Sequence, residues 1–215
     1  MKVKAFIFDM DGTLINNISY HQKAWLAFLA KYGIELAPHE FHAQNHGTQD
    51  ELIRHFFGQD LDYPKVQALG NEKEALYREL YRPAMEPLKG LPQLLDALKA
   101  QQIRIALATM GGADNIDFVL DTLQIRPYFE VIVGGHQVRH GKPHPEVYQK
   151  ALKALGLEPS EAIALEDSRG GIVSANGAGL PVVGITTSHT PDELRQWGAI
   201  HTVAHYENFP TKSFL

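Results

Sequence analysis

Residues 8–14 read "FDMDGTL", directly behind the apolar run "KAFIF". Asp9 and Asp11 therefore stand two apart at the end of a stretch patterned as a buried strand. A buried carboxylate without a partner costs several kcal/mol, about as much as a whole domain has to spare. The pair needs a positive counterpart, and a metal ion supplies one. Other segments end in a similar way. "IALAT" ends in Thr109, with Met110 next in the turn "TMGGAD"; "AIALED" ends in Glu166 and Asp167; "HGKPHPEVY" offers Lys142. Hard oxygen donors suit Mg²⁺, which keeps several waters and commonly bridges to a substrate phosphate. Asp9, Asp11 and Asp167 place two or three protein oxygens on such an ion, with Glu166 beside them. Lys142 adds a fixed positive charge and Thr109 a hydroxyl, and Met110 sits at the same substrate-facing turn. Backbone N–H groups of that turn and of the next helix favour an anion.

Each residue has a plainer reading. "DxDG" also fits turn chemistry, Thr109 also fits an ordinary strand, and a lone lysine is usually solvated. Together they describe a phosphoryl pocket. Phosphoryl transfer asks chiefly for positioning and charge neutralisation. In that chemistry Asp9 attacks phosphorus and forms an aspartyl-phosphate. Asp11 protonates the leaving oxygen and later deprotonates water, a role worth roughly 10²–10⁴-fold.

The elements that must hold these groups follow from periodicity. The first strand is expected over 3–8. In "YHQKAWLAFLAKYG" the residues Ala24, Trp25, Phe28, Leu29 and Tyr32 form one apolar stripe, ended by Gly33. Helical patterns continue to about residue 86, where Pro83, Pro87 and Gly90 punctuate the chain. Beyond Gly90 strand and helix patterns alternate, which implies a parallel sheet with helices on both faces and right-handed crossovers. "AIHTVAH" closes the series as an edge strand. The core is thus discontinuous: residues 1–15 and 87–215 form it, and 16–86 are a helical insert. In an open parallel sheet ligands bind beyond the carboxyl ends of the strands, where the strand order switches. The acidic and basic residues named above stand at such ends.

Composition narrows the class. The 215 residues are 44% apolar with a formal charge of −5 and a pI near 6.1, so an anionic partner such as nucleic acid or a charged membrane is not expected. No apolar run approaches the roughly 20 residues that span a bilayer. There are no cysteines, hence no disulfide framework and no thiolate metal site. "MKVKAFIF" leads straight into a strand pattern without a signal peptide, and a cytoplasmic, monomeric protein is the expectation. Among the eleven histidines, HxxxH-like spacings such as His42 and His46 hint at zinc, but no "HExxH" pattern accompanies them.

"DMDGTL", Thr109, "GKPHPEVY" and "EDS" resemble, in order, the four motifs of the haloacid dehalogenase superfamily. The insert resembles the cap of its β-phosphoglucomutase-like subgroup. The resemblance spans nearly the whole chain. It implies a Rossmann-like three-layer α/β core with a parallel sheet and a small all-helical cap, inserted after the first strand, that closes over the site. It implies Asp9 as nucleophile and Asp11 as acid/base that also gives a backbone carbonyl to Mg²⁺. Thr109 and Lys142 match the phosphate binders, and Asp167 the metal ligand with Glu166 as its helper. The second aspartate marks phosphotransfer members, whereas dehalogenases lack it.

Two activities remain open. "YHQKAW" places His21 where the mutases of the subgroup have a cap-hinge histidine. Those mutases also carry a Lys-Gly-x-x-Arg cap loop. Here that stretch is "HGTQD", with His46 and Asp50 at the charged positions and Gly47 and Thr48 as candidate substrate contacts. A carboxylate there repels a second phosphate, which favours a phosphatase of a small phosphorylated metabolite over a mutase. A receiver-type signalling module shares the acidic cluster, Thr and Lys, but carries no comparable insert.

Overall fold

The computed structural model describes residues 3–44 and 48–214, apart from the side chain of Lys212. Two compact units emerge, Met1–Asn16 with Glu86–Leu215, and Asn17–Met85. The first contains six strands: β1 (Ala5–Phe8), β2 (Arg104–Ala108), β3 (Val131–Val133), β4 (Ala162–Glu166), β5 (Val182–Ile185) and β6 (His201–Val203). They pair in the order β3-β2-β1-β4-β5-β6, and every pairing is parallel. This is a doubly wound, Rossmann-like sheet. The first strand begins at Ala5 rather than Val3. Lys4 still continues the ladder outward, donating to Glu161 and accepting from Arg104. β6 lies at one edge.

The helices α5 (Leu91–Ala100), α6 (Ala113–Thr122), α7 (Glu146–Leu155), α8 (Arg169–Gly177) and α9 (Pro191–Gln196) alternate with the strands; the preceding α1–α4 belong to the second unit. Strand residues alternate between faces. Ala5 and Ile7 join one core cluster with Ala106, Ala108, Ala164 and Val182, covered by Val147, Ala151, Leu155, Ile172 and Leu194. Phe6 and Phe8 point the other way, against Phe209, Phe129 and Tyr206. Small alanines on the first face let α7 and α8 approach the sheet closely. Both faces are buried, which is why the strands read as continuous apolar runs.

The second unit is helical: α1 (Ile18–Lys31), α2 (Pro38–Gln44), α3 (Gln49–Phe57) and α4 (Tyr63–Tyr81). Its core joins Trp25, Phe28 and Leu29 to Phe41, Leu52, Ile53, Val66 and Leu69. The stripe expected on α1 is one residue too long. Tyr32 lies past the helix and stays 42% exposed, with its hydroxyl donating to Glu72 at 2.8 Å. A phenol keeps its polar tip wet where a carboxylate partner stands at the surface. Among the described residues no helix is long and apolar enough to cross a membrane.

Candidate active site

β1 lies at the centre, with β2 on one side and β4 on the other. Phe8 pairs with both Leu107 and Leu165, so Asp9 emerges level with Ala108 and Glu166. The chain runs outward from β1 through β2 to β3 and then returns to β4 on the opposite side of β1, which makes this the switch in strand order, where a crevice opens. Asp9, Thr109, Glu166 and Asp167 stand at its rim because three strands end there together.

Lys142 binds the cluster from the loop before α7. Its Nζ lies 2.6 Å from Asp9 Oδ1 and 2.5 Å from Glu166 Oε1, and it also donates to the Ala108 carbonyl at 3.0 Å. Its side chain is 8% exposed. Burial works against the ammonium charge, but Asp9 and Glu166 outweigh that and hold Lys142 above the ordinary lysine range. Glu166 is fully buried and saturated with donors. Lys142 and the Tyr148 hydroxyl reach Oε1, the latter at 2.8 Å, while the Asp167 amide and Ser168 hydroxyl reach Oε2. It therefore holds Lys142 in place as well as standing in the acidic group. The Lys142 ammonium also lies 4.9 Å from the centre of the Tyr148 ring.

Oxygens of Asp9, Glu166 and Asp167 lie within 4.8 Å of one another. Asp11 is half-buried, stands outside that close group, and acts on Asp9 and Asp167 through its charge. Burial drives the Asp9 carboxyl well above the usual carboxylate range; Lys142 opposes this, and Glu166, Asp167 and Asp11 add to it. Asp167 is pushed up to about 7, by burial first and by Glu166 next, against a hydrogen bond from Ser188. One ammonium thus faces four carboxylates. That surplus of hard, anionic oxygen is what a dication such as Mg²⁺ fits. Asp9, Glu166 and Asp167 together form a group that could hold such an ion.

Thr109 is fully buried. Its hydroxyl oxygen accepts from the Gly111 amide at 3.0 Å, which leaves the hydroxyl hydrogen to donate. Met110 is 40% exposed and lies against Gly141, where a methyl group would meet its Cε at 3.0 Å. In the helical unit His21 stacks on Tyr77 with ring centres 3.8 Å apart, and its Nδ1 lies 3.1 Å from Lys73 Nζ. Thr48 caps α3, accepting from the Glu51 amide while Glu51 accepts from the Thr48 amide. Gly47 and His46 lie outside the described residues.

Sequence reasoning missed the residues that tether the site. Tyr148 sits in the quoted "GKPHPEVY", six residues after Lys142. Ser188 donates to Asp167 Oδ2 and Thr187 to the Gly12 carbonyl at 2.6 Å. The hydroxyls of "TTSHT" just beyond β5 were the available signal, since that strand also ends at the crevice. Lys73, only 3% exposed, gave no such signal.

Gly12 supplies a sharp test of this packing. Its φ is +78°, and a Cβ there would sit 2.1 Å from Asp167 Oδ2. Gly12→Ala is expected to lose about 1–3 kcal/mol of stability through backbone strain. Turnover should fall about 10²-fold, the penalty of moving a catalytic group by roughly 1 Å. Urea melts and steady-state kinetics on the variant check both; wild-type values in both would remove Asp167 from the site.

A model of the haloacid dehalogenase-like hydrolase family matches residues 6–185. The chain is 33% identical to protein CbbY of Rhodobacter capsulatus over 88% of each chain. It is 30% identical to the fructose-1-phosphate phosphatase YqaB of Escherichia coli (strain K12), over 83% of this chain and 94% of that one. A β-phosphoglucomutase structure from Clostridium difficile superposes with a TM-score of 0.83 at 25% identity, covering 98% and 96% of the two chains.

Proposed function

Because the chain belongs to the haloacid dehalogenase-like hydrolase family, we propose that it is a Mg²⁺-dependent phosphatase of a small phosphorylated sugar or similar metabolite, acting through an aspartyl-phosphate. The observation that carries this reading is Lys142 clamped between Asp9 and Glu166 at the switch in strand order. An ammonium fixed there neutralises charge on both the nucleophile and an incoming phosphate. Asp9 and Asp167, with Glu166 beside them, would hold Mg²⁺, which would supply further charge neutralisation.

An Asp9 oxygen attacks phosphorus, and the bond from phosphorus to the leaving oxygen breaks with its electron pair. Asp11 gives that oxygen a proton. Water then attacks the phosphoryl group, Asp11 takes its proton, and phosphate leaves with the Asp9 carboxylate restored. Asp11 suits this exchange because it stands two residues from Asp9 and is only half-buried. Thr109, through its hydroxyl hydrogen, and Lys142 bind the transferring phosphate, with Met110 beside them at the turn.

Residues 16–86 are proposed as a cap that selects substrate. His21 is its best-supported contact, since Tyr77 stacks on its ring and Lys73, itself paired with Glu74, fixes its Nδ1. Thr48 has a weaker claim because its hydroxyl is engaged in the helix cap. A mutase is the second reading, favoured by the C. difficile structure. The chemistry at Asp50 argues against it: its carboxylate takes hydrogen bonds from Gln67 where the subgroup's mutases carry arginine.

The test is purified protein with Mg²⁺ against a panel of hexose, pentose and hexitol phosphates, read for both free phosphate and isomer. Phosphate release faster than isomerisation from at least one substrate is expected. Faster isomerisation of β-glucose 1-phosphate to glucose 6-phosphate establishes the mutase, and release of neither product removes both.

A further inference from the structure

The loop that delivers Lys142 carries a second set of metal-ligating side chains that phosphoryl chemistry does not use. His140 precedes Lys142 by two residues, and His144 and Glu146 follow it. One ligand atom from each of the three lies within 4.8 Å of the others. The two imidazole rings have centres 4.6 Å apart, tilted by 35°. The Glu146 carboxylate is already aimed. Arg139 and His140 amides donate to it at 3.1 and 3.0 Å, and Lys150 Nζ lies 2.9 Å away. His140 Nδ1 is 3.2 Å from Glu146 Oε2.

We propose that His140, His144 and Glu146 form a second divalent-cation site, for an ion of the zinc class, on the loop that carries Lys142. Two imidazoles and a carboxylate form a three-ligand set that zinc commonly uses, with bonds of about 2.0–2.2 Å. Imidazole donors select zinc, copper or nickel over magnesium, which prefers oxygen alone. The geometry is close to what binding needs. Bonds of about 2.1 Å around a tetrahedral ion set donors roughly 3.4 Å apart, and the His140–Glu146 pair is already there. His144 must close the remaining gap. What holds its Nδ1 now is a 3.3 Å hydrogen bond from the Glu146 amide, long for its type and readily exchanged for a metal bond. The Lys150 pair does not block the site, since an ion pair with a 43% exposed lysine contributes little. An ion here ties residues on both sides of Lys142 and so fixes the path of that loop. The inference stands whether or not the chain is a phosphatase.

The experiment titrates Zn²⁺ into the full chain by calorimetry, with Mg²⁺ in excess to occupy the acidic cluster. Wild-type protein should take up Zn²⁺ at this site. H140Q and H144Q should each weaken that uptake by at least roughly tenfold, the lower end of what losing even an outer partner of a metal site costs. H55Q, an exposed histidine on α3, should leave it unchanged. Cu²⁺ bound in place of Zn²⁺ should show two imidazole nitrogens by electron paramagnetic resonance, and one in H140Q. Equal Zn²⁺ affinity in wild type and both variants, or a copper spectrum unaltered by them, overturns the proposal.

Discussion

Asp9→Asn is expected to lower kcat for phosphomonoester hydrolysis by at least roughly 10⁴-fold, because an amide oxygen does not form the covalent intermediate. The same variant should melt no lower than wild type in chelator. Burial, reinforced by three nearby carboxylates and opposed by Lys142, raises the Asp9 carboxyl above its ordinary range in the folded protein. A raised carboxyl favours folding only while protonated. Its contribution is complete below about pH 4, where the unfolded chain also binds the proton, and is lost as pH rises through the folded value. Above that folded value the metal-free wild type therefore carries a buried anion that the asparagine variant lacks. Lys142 keeps Glu166 as a partner at 2.5 Å in either case, so the substitution leaves no buried cation without an anion. Turnover of p-nitrophenyl phosphate with Mg²⁺ and thermal melts in chelator read the two effects separately. Normal turnover by pure variant protein removes the covalent mechanism. A melting point several degrees below wild type removes the electrostatic account.

Strand ends were readable because topology constrains them. Once β1, β2 and β4 are recognised as parallel neighbours, Asp9, Thr109 and Glu166-Asp167 have to emerge at one edge, whatever the loops do. Lys142 was readable as a cation placed among those acids by its motif. The contacts that fix it were less so. Tyr148 reaches Glu166 from the first turn of α7, and Ser188 reaches Asp167 from beyond β5. Both depend on loop paths that no periodicity encodes. The helical unit was legible as helices but not as faces. Tyr32 continues the stripe in sequence yet leaves the core, because the helix stops one residue before it. Thr48 reads equally as a substrate contact and as the first member of a capping box with Glu51, and the structure shows the cap. His140 and His144 have the same four-residue spacing as His42 and His46, the pair singled out on that ground. The turn preceding α7 brings His140 and His144 together beside Glu146, whereas His46 lies outside the described residues.

Lys142→Met should separate what the lysine does for folding from what it does for turnover. Its Nζ is the nearest cation to Asp9 and Glu166, whose side chains are 10% and 1% exposed. Removing one partner of a buried ion pair leaves the other charge uncompensated and costs about 3–5 kcal/mol, a large share of a typical domain's net stability. Turnover should fall by about 10²–10³-fold, as when one preorganised donor to a developing anion is lost. The pairing account makes a further demand. In Lys142→Met/Glu166→Gln the buried glutamate charge is gone as well; the amide oxygen still accepts from Tyr148, at the cost of the bond from the Asp167 amide, which the new NH₂ group does not accept. This double variant should regain a substantial part of the stability and none of the turnover. Mg²⁺ should also raise the melting point of Lys142→Met more than that of wild type, since it meets a less compensated set of carboxylates. Urea melts of the three proteins, with and without Mg²⁺, together with kcat in saturating Mg²⁺, decide the matter. If the double variant is as unstable as the single one, the lysine is held by packing against Tyr148 rather than by charge. If Lys142→Met turns over at the wild-type rate, the ammonium is a structural counter-ion and the phosphate is bound by other groups.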